Sequence, residues 1–264
     1  PLADENRVIS RLGLGAIRRS PRPGIRALID VAGLSSDHLS GRDISFGLAP
    51  RINAAGRIGH AHQALDLLLT EDENRARSIA TGLDTLNRDR QKLEERTRTE
   101  AMNAIAAQGL AQQRVVLASG PGWHEGVIGI VASKLVEQLH RPCIVVALGN
   151  GRARGSGRSV TGFDLHAALK TCSGLLLGFG GHRYAAGFDI EPDRIPALRD
   201  ALNLYAAASP PEVFEPSLQV EALADIDEID EQLAAAISRL EPFGPDNPEP
   251  VFASLGLEVV GRPR

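Results

Sequence analysis

Sulfur is scarce in this sequence. Cys143 and Cys172 are the only cysteines in 264 residues, and neither stands in a CxxC spacing. That argues against a disulfide framework or a cysteine-based zinc site and fits a reducing, cytoplasmic compartment. No run approaches the ~18 apolar residues of a membrane span, and nothing at the start reads as a signal peptide. The formal charge of −4 excludes a uniformly basic coat but leaves room for a local basic groove, because whole-chain charge averages over faces. Several motifs are also missing: the Gly-Lys-Ser/Thr ending of a phosphate loop, HExxH, a DxD-type carboxylate cluster and the GxSxG elbow. A hydrolytic metal site needs several carboxylates and imidazoles to converge, and no such cage is legible, so no residue is assigned to a metal. Met102 is the only methionine and Pro1 comes first, so the chain reads as part of something longer.

What is present describes an ordinary soluble globular protein, 43% hydrophobic and 23% charged, long enough for two or three domains. Residues 5–18 and 24–32 carry apolar positions at helical spacing. The stretch "DISFGLAPRINAAGRIGHAHQALDLLLT" starts helical, is interrupted at Pro50 and resumes at "HQALDLLL". Residues 71–107 predict one long, mostly exposed helix, its dense charges forming a solvated face and Gly82 its weak point. From residue 114 the pattern changes. "RVVLAS" and "CIVVAL" flank the helical "GVIGIVASKLVEQLH", which suggests a βαβ unit and a partly parallel sheet. Further on come a helix over "DLHAALKTC", a strand "AAGFDI", a helix near 192–207 and a linker at "ASPPEVFEP". A strand "SLQVEA", a helix near 230–240, the turn-rich "EPFGPDNPEP" and a strand reaching the chain end complete the sequence.

Four stretches can carry chemistry. In "GRARGSGRS" (151–159), Arg152, Arg154 and Arg158 stand an even number of residues apart, so at strand spacing they share one face. With Ser156 and the glycines between them they suit phosphate, bound by guanidinium forks and backbone amides; the bland reading is a flexible basic hairpin. In "GFGGHRYAAG" (178–187), Gly180 and Gly181 suit a turn with positive φ or a close backbone approach to a ligand. His182 either donates to a phosphate or is a structural imidazole. In "APRINAAGRIGHAH" (49–62), Arg51, Asn53 and Arg57 could clamp a phosphate or sugar, while His60 and His62 make a poor metal signature. In "PGWHEGVIG" (121–129), Trp123 or His124 could meet a base or a phosphate, or "HEG" simply starts the next helix.

These segments resemble a known family. "GFGGHRYAAGF" resembles the GGHxxAAG motif of the DHH-associated domain, the second domain of the DHH phosphoesterase superfamily. "FGLAPRINAAGRIGHAHQALDLLLTED", "PGWHEGVIGIVASKL", "GSGRS" and "LEPFGPDNPEPVF" are similar, in the same order, to segments of the RecJ family of single-strand-specific 5′→3′ exonucleases. The resemblance implies an α/β architecture. The closing helices of a DHH domain (1–69) would lead through a long connecting helix (70–107) to an α/β DHH-associated domain with a mixed sheet (108–209). The start of an oligonucleotide-binding β-barrel (210–264) would follow. It further implies phosphodiester hydrolysis with Mn2+ or Mg2+ held by aspartates and histidines of the phosphoesterase domain, whose Asp-His-His triplet does not occur here. Carried over by motif, His182 is expected near the scissile phosphate. Arg154, Ser156 and Arg158 are expected to grip the DNA backbone or its 5′ end, beside Gly180 and Gly181, and Arg51, Asn53 and Arg57 to line the same cleft. The implied partner is single-stranded DNA, with single-strand-binding protein and a helicase as family partners, a monomeric state and no membrane. The alternatives are a smaller DHH-family phosphodiesterase for short oligonucleotides or cyclic dinucleotides, and a non-catalytic single-strand-binding module.

Overall fold

The structure is a computed structural model that describes residues 2–149, 151–258 and 260–261. The chain falls into two compact units. One runs from the start of the chain to Asn87 and includes the residues from Ser217 on; the other is Arg88–Pro216.

The first unit opens with α1 (Asp4–Arg19), whose terminal charges complement the helix dipole: Asp4 and Glu5 in the first turn, Arg18 and Arg19 in the last. α2 (Pro23–Val31) begins at a proline, whose missing N–H costs nothing in the first turn. The expected interruption at Pro50 is corrected for the same reason. Pro50 lies in the first turn of α3 (Ala49–Ile58), where it starts the helix, and a π-helical stretch, Asp43–Leu48, leads into it. The break falls at Gly59, before α4 (His62–Leu69). Gly24 lets α2 lie directly on α4, since a Cβ there would collide with the Leu67 carbonyl. Leu28, Leu39, Leu48, Leu67 and Leu83 form the core of this unit.

The residues from Ser217 on carry little regular structure. The strand expected over "SLQVEA" is confined to β6 (Ala222–Leu223), paired in parallel with β7 (Phe252–Ala253). The strand expected at the chain end is in part a reading of residues outside those described. Between the two lies α9 (Glu231–Ser238), capped by Asp230, whose carboxylate accepts from the Leu233 N–H at 2.8 Å. This segment is tied to the start of the chain. The Leu2 N–H donates to Pro245 O at 2.6 Å and Arg7 Nη2 donates to Leu240 O at 2.7 Å.

α5 (Glu73–Ala107) is continuous through Gly82, and it corrects the expectation of a solvated charged face. Its buried stripe advances by three or four residues, apart from the adjacent Leu83 and Asp84, and changes character along its length. It is apolar at Ala76, Ala80 and Leu83, polar at Asp84, Asn87, Arg90, Glu94 and Thr97, and apolar again at Ala101 and Ile105. Within the first unit Arg51 Nε bonds Asp84 Oδ1 at 2.9 Å, joining α3 to α5. Within the second, buried Glu94 accepts from Arg90 one turn earlier and from Lys134. Charges on the outer flank, such as Arg96–Glu100 and Arg98–Glu95, are the exposed pairs the sequence suggested.

The second unit is built on a sheet with strand order β1-β2-β3-β5-β4. β1 (Val116–Pro121), α6 (Glu125–Leu139) and β2 (Cys143–Leu148) form the expected βαβ unit, with β1 and β2 parallel. β3 (Ala153–Arg158), β4 (Leu176–His182) and β5 (Ala185–Ile190) extend the sheet in antiparallel fashion. One face is covered by α7 (Leu165–Thr171) and α8 (Ile195–Ala206), whose Leu165, Leu169, Leu198 and Leu202 pack on Leu117, Ile144, Val146, Phe188 and Ile190. The opposite face is covered by α6 over β1 and β2. The fold is the mixed α/β arrangement expected.

Glu94→Gln should destabilise the chain by about 3 kcal/mol. That is the low end for breaking a buried pair, because Lys134 is half in solvent while Arg90 and Glu94 are buried. A urea titration followed by circular dichroism measures it, and an unchanged midpoint would show that the polar stripe is inert.

Candidate nucleic-acid interface

β3 lies between two other strands, so "GRARGSGRS" is neither a loop nor a flexible hairpin. Its pleat divides the sequence in two. Gly155 and Gly157 point into the core: a Cβ at Gly155 would collide with the Phe188 ring, and one at Gly157 would come within 2.7 Å of Leu165 Cδ2. Arg154, Ser156 and Arg158 point the other way, as strand parity predicted. The sequence reading gave these glycines to phosphate. The structure gives Gly155 and Gly157 to the packing of the sheet on its own core.

Cross-strand register shows what lies beside the arginines. One row runs Ala147, Arg154, Asp189, Gly178; the next Val145, Ser156, Gly187, Gly180; the third Cys143, Arg158, Ala185, His182. Over β2 this face is roofed by α6. Beyond β3 its floor is glycine and alanine apart from Asp189 on β5 and His182 on β4, with Gly178, Gly180 and His182 exposed. His182 and Arg158 thus share a row two strands apart, about 10 Å between backbones. The result is a shallow tray with a bare floor, two arginines and a serine along one side, and an imidazole at the far corner.

α6 forms the wall. A Cβ on Gly129 would stand 3.0 Å from both Arg158 Nη2 and Ser156 Oγ, so this glycine brings the helix down onto that pair. Arg158 Nη1 donates to Gly157 O at 2.8 Å and to Ser156 Oγ at 3.2 Å, which fixes the guanidinium against the floor. At the other end two acids meet the arginines. Asp189 Oδ2 is 2.6 Å from Arg152 Nη2, and Glu125 Oε2 is 3.7 Å from Arg154 Nε. The Asp189 carboxylate beside it holds the Arg152 guanidinium pKa above its ordinary value. Beneath Arg158, burial pushes the Cys143 thiol up to about 12, so it stays protonated and inert.

The glycines of "GFGGHRYAAG" separate into two kinds, and the turn expected at Gly180 and Gly181 is displaced. Both lie within β4, and the hairpin turns at Arg183 and Tyr184. Gly181 has φ +135, and a Cβ there would stand 2.6 Å from Ala186 Cα, so the backbone itself demands glycine. Gly178 and Gly180 have nothing within 4 Å of an added Cβ, so the fold makes no such demand there.

The remaining candidates fall elsewhere. Arg51, Asn53 and Arg57 are on α3 of the first unit. Arg51 is half-buried, its Nη1 donating to Gly47 O at 2.7 Å and its Nε to Asp84. Asn53 and Arg57 are exposed one turn apart. His60 and His62 stack with ring centroids 5.6 Å apart. Trp123 is buried against Gly120 and donates to Glu100 Oε2 at 2.8 Å, so it does not offer a stacking surface. His124 caps α6, its Nδ1 accepting from the Gly126 N–H at 3.0 Å, in accord with the reading of "HEG" as a helix start. Among the described residues no three His, Cys, Asp or Glu side chains come together as a metal cage. Among the described residues no helix is long and apolar enough to cross a membrane. Sequence reasoning did not find Gly129, Glu125 and Asp189, because only the register and the seating of α6 bring them to the arginines.

The chain is similar to known proteins over nearly its whole length. Residues 110–208 match the DHHA1 domain and residues 220–263 the RecJ OB domain. The chain is 41% identical over 253 residues to the single-stranded-DNA-specific exonuclease RecJ of Bacillus subtilis, covering 95% of this chain and 32% of that protein. It is 35% identical over 268 residues to the RecJ of Escherichia coli, covering 96% and 45%. The crystal structure of RecJ in complex with Mg2+ from Thermus thermophilus superposes with a TM-score of 0.84 at 35% identity, covering 96% of this chain and 39% of that one. Fold and site together define a DHHA1-domain protein that also carries a RecJ OB domain. Within that class the chain belongs to the RecJ family, and it spans about a third to a half of the length of the relatives it matches.

Gly180→Ala should leave thermal stability within about 0.5 kcal/mol of the parent, whereas Gly181→Ala should cost about 1–3 kcal/mol through backbone strain. Thermal unfolding of the two variants measures the difference, and equal losses would refute the division between the two glycines.

Proposed function

We propose that this chain serves a RecJ-type enzyme, a metal-dependent exodeoxyribonuclease that removes nucleotides from single-stranded DNA in the 5′→3′ direction during repair and recombination. The tray on the second unit would be its DNA-binding surface. The observation that carries this reading is the Ser156–Arg158 pair, fixed on β3 under Gly129 and bordered by Gly187 and Gly180 in the Ser156 row. A guanidinium and a hydroxyl so placed present donors that suit a phosphate. The bare floor at Gly180 and Gly187 would let the sugar–phosphate backbone lie close, and Arg154 extends the basic row. His182, exposed at the corner in the Arg158 row, would hold the hydrogen bond or the proton at the phosphodiester being cut.

In the same reading, residues 1–69 close a phosphoesterase domain, 70–107 connect, 108–209 bind substrate and 210–264 begin the oligonucleotide-binding barrel. Asn53 and Arg57 would contribute further donors, and Arg51 would act by holding α3 through Asp84. Mn2+ or Mg2+, the ions of the RecJ structures to which the chain is similar, would supply the activated water. The described residues do not assemble a cage for them, so the work assigned to this chain is to bind and orient the strand. Single-strand-binding protein, a helicase, a monomeric state and a cytoplasmic location complete the proposal. A strand-binding role without catalysis is the second reading, favoured only by that missing cage.

Arg158→Ala should weaken binding of a short single-stranded oligonucleotide by about 1–3 kcal/mol, roughly fivefold to 150-fold. An unchanged dissociation constant in a salt titration would show the pair to be structural. In an enzyme extended to the full RecJ length, His182→Ala should lower kcat far more than it weakens binding. Equal losses would make the imidazole a ground-state contact.

A further inference from the structure

The first unit has a concave surface of its own. Its aromatic half is a cavity of about 590 Å3, whose lining includes Arg42, Ser45, Phe46 and Phe243 together with the carboxylates Glu241 and Glu249. Phe46 is 76% exposed, and the Arg42 guanidinium lies over its ring at 5.9 Å from the centroid. A lone exposed phenylalanine needs no explanation. This one stands on the π-helical stretch Asp43–Leu48, a type of backbone irregularity that often marks a functional position. The stretch is pinned at its start, where the Ser40 N–H and hydroxyl donate to Asp43 Oδ2 at 2.8 and 2.7 Å. A fixed backbone thus presents the ring to a cavity of ligand size.

The basic half adjoins it. On α1, Arg11, Leu14, Gly15 and Arg18 share one face by helical spacing. With Ser238 and Arg239, at the end of α9, they line a concavity of about 290 Å3. Glu241 and Pro242 line both hollows, so the two are contiguous. Arg18 is anchored by its Nε, which donates to Leu39 O at 2.8 Å. Arg11 and Arg239 make no side-chain hydrogen bond or ion pair among the described residues. Aromatic rings beside arginines suit a single-stranded polynucleotide, the ring taking a base and the guanidinium a phosphate. An acidic peptide would also find the arginines. The carboxylates separate the two ligands: in the aromatic cavity Glu241 and Glu249 repel an acidic side chain but accept from the amino group of an uncharged base. We infer that the first unit carries a separate binding site for a single-stranded polynucleotide, in which Phe46 stacks on a base and Arg11, Arg18 and Arg239 hold the adjoining phosphates. The site shares no residue with the tray and does not rest on the reading of it.

The test uses this chain and two short single strands of equal length and charge, one of deoxycytidine and one of abasic sugar–phosphate, titrated across a range of salt. Phe46→Ala should weaken binding of the deoxycytidine strand by about five- to 150-fold, the range for one lost base–aromatic stack, and leave binding of the abasic strand unchanged. The slope of log K against log salt should not move, because no phosphate contact is lost. Arg239→Met should do the opposite, flattening that slope by about 0.7 with both strands. Phe46→Trp should bind like the parent and Phe46→Leu should not, which separates stacking from apolar packing and from misfolding. The inference is overturned if Phe46→Ala weakens both strands equally, if Phe46→Leu matches the parent, or if the chain binds neither strand. It is also overturned if a phenylalanine-containing polyglutamate peptide binds in a Phe46-dependent way and the oligonucleotide does not, which would assign the groove to a protein partner. Arg158→Ala reports on the tray alone. A loss there with Phe46→Ala silent overturns this inference and leaves the tray standing, and the reverse pattern supports it against the tray.

Discussion

The second unit depends on the pleat of β3. A strand in the middle of a sheet must satisfy two environments with alternate residues, and β3 does so with the smallest side chains inward and basic or hydroxyl ones outward. Inward, Gly155 leaves its space to the Phe188 ring and Gly157 to Leu165. Outward, the side chains stand at two-residue intervals on a rigid floor. The placement of Ser156 and Arg158 is therefore a by-product of how the core is packed. A mutation that filled the glycine side would move the arginine side as well.

The same economy appears on the opposing helix. Gly129 is buried in α6, where glycine costs roughly 0.5–1 kcal/mol against alanine, yet any side chain would press on Arg158 and Ser156. Glu94 reaches Lys134 of the same helix from α5, so a buried carboxylate ties the wall of the tray in place. Carboxylates then meet the row that packing has fixed, Asp189 at Arg152 and Glu125 at Arg154.

Much of this was legible in the sequence. The βαβ unit followed from two β-branched runs around an apolar helical segment, and the shared face of Arg154 and Arg158 from their even spacing. What was not legible depended on partners distant in sequence. The charges of α5 look like a solvated surface until burial shows that Asp84, Arg90 and Glu94 lie on its inner stripe. Pro50 reads as a breaker because periodicity does not distinguish the first turn of a helix from its middle. Gly180 and Gly181 read alike as neighbours, and only backbone conformation separates a residue that must be glycine from one that the fold leaves free. Asp189 sits in an ordinary strand sequence, and its place beside Arg154 exists only through register.

The β4–β5 hairpin has a further consequence for how this region can change over time. His182 is followed by two residues of turn and then by Ala185, so there is no slack on that side. Near the other end of β4 the ladder carries an irregularity between Leu176 and Gly178, where Leu177 is an extra residue without a partner. Length variation can be absorbed at that bulge. An insertion of one residue between Gly178 and the turn would invert every side chain beyond it and send the imidazole to the core face. The most exposed strand of the sheet is thus free in much of its composition and, from the bulge to the turn, fixed in its length.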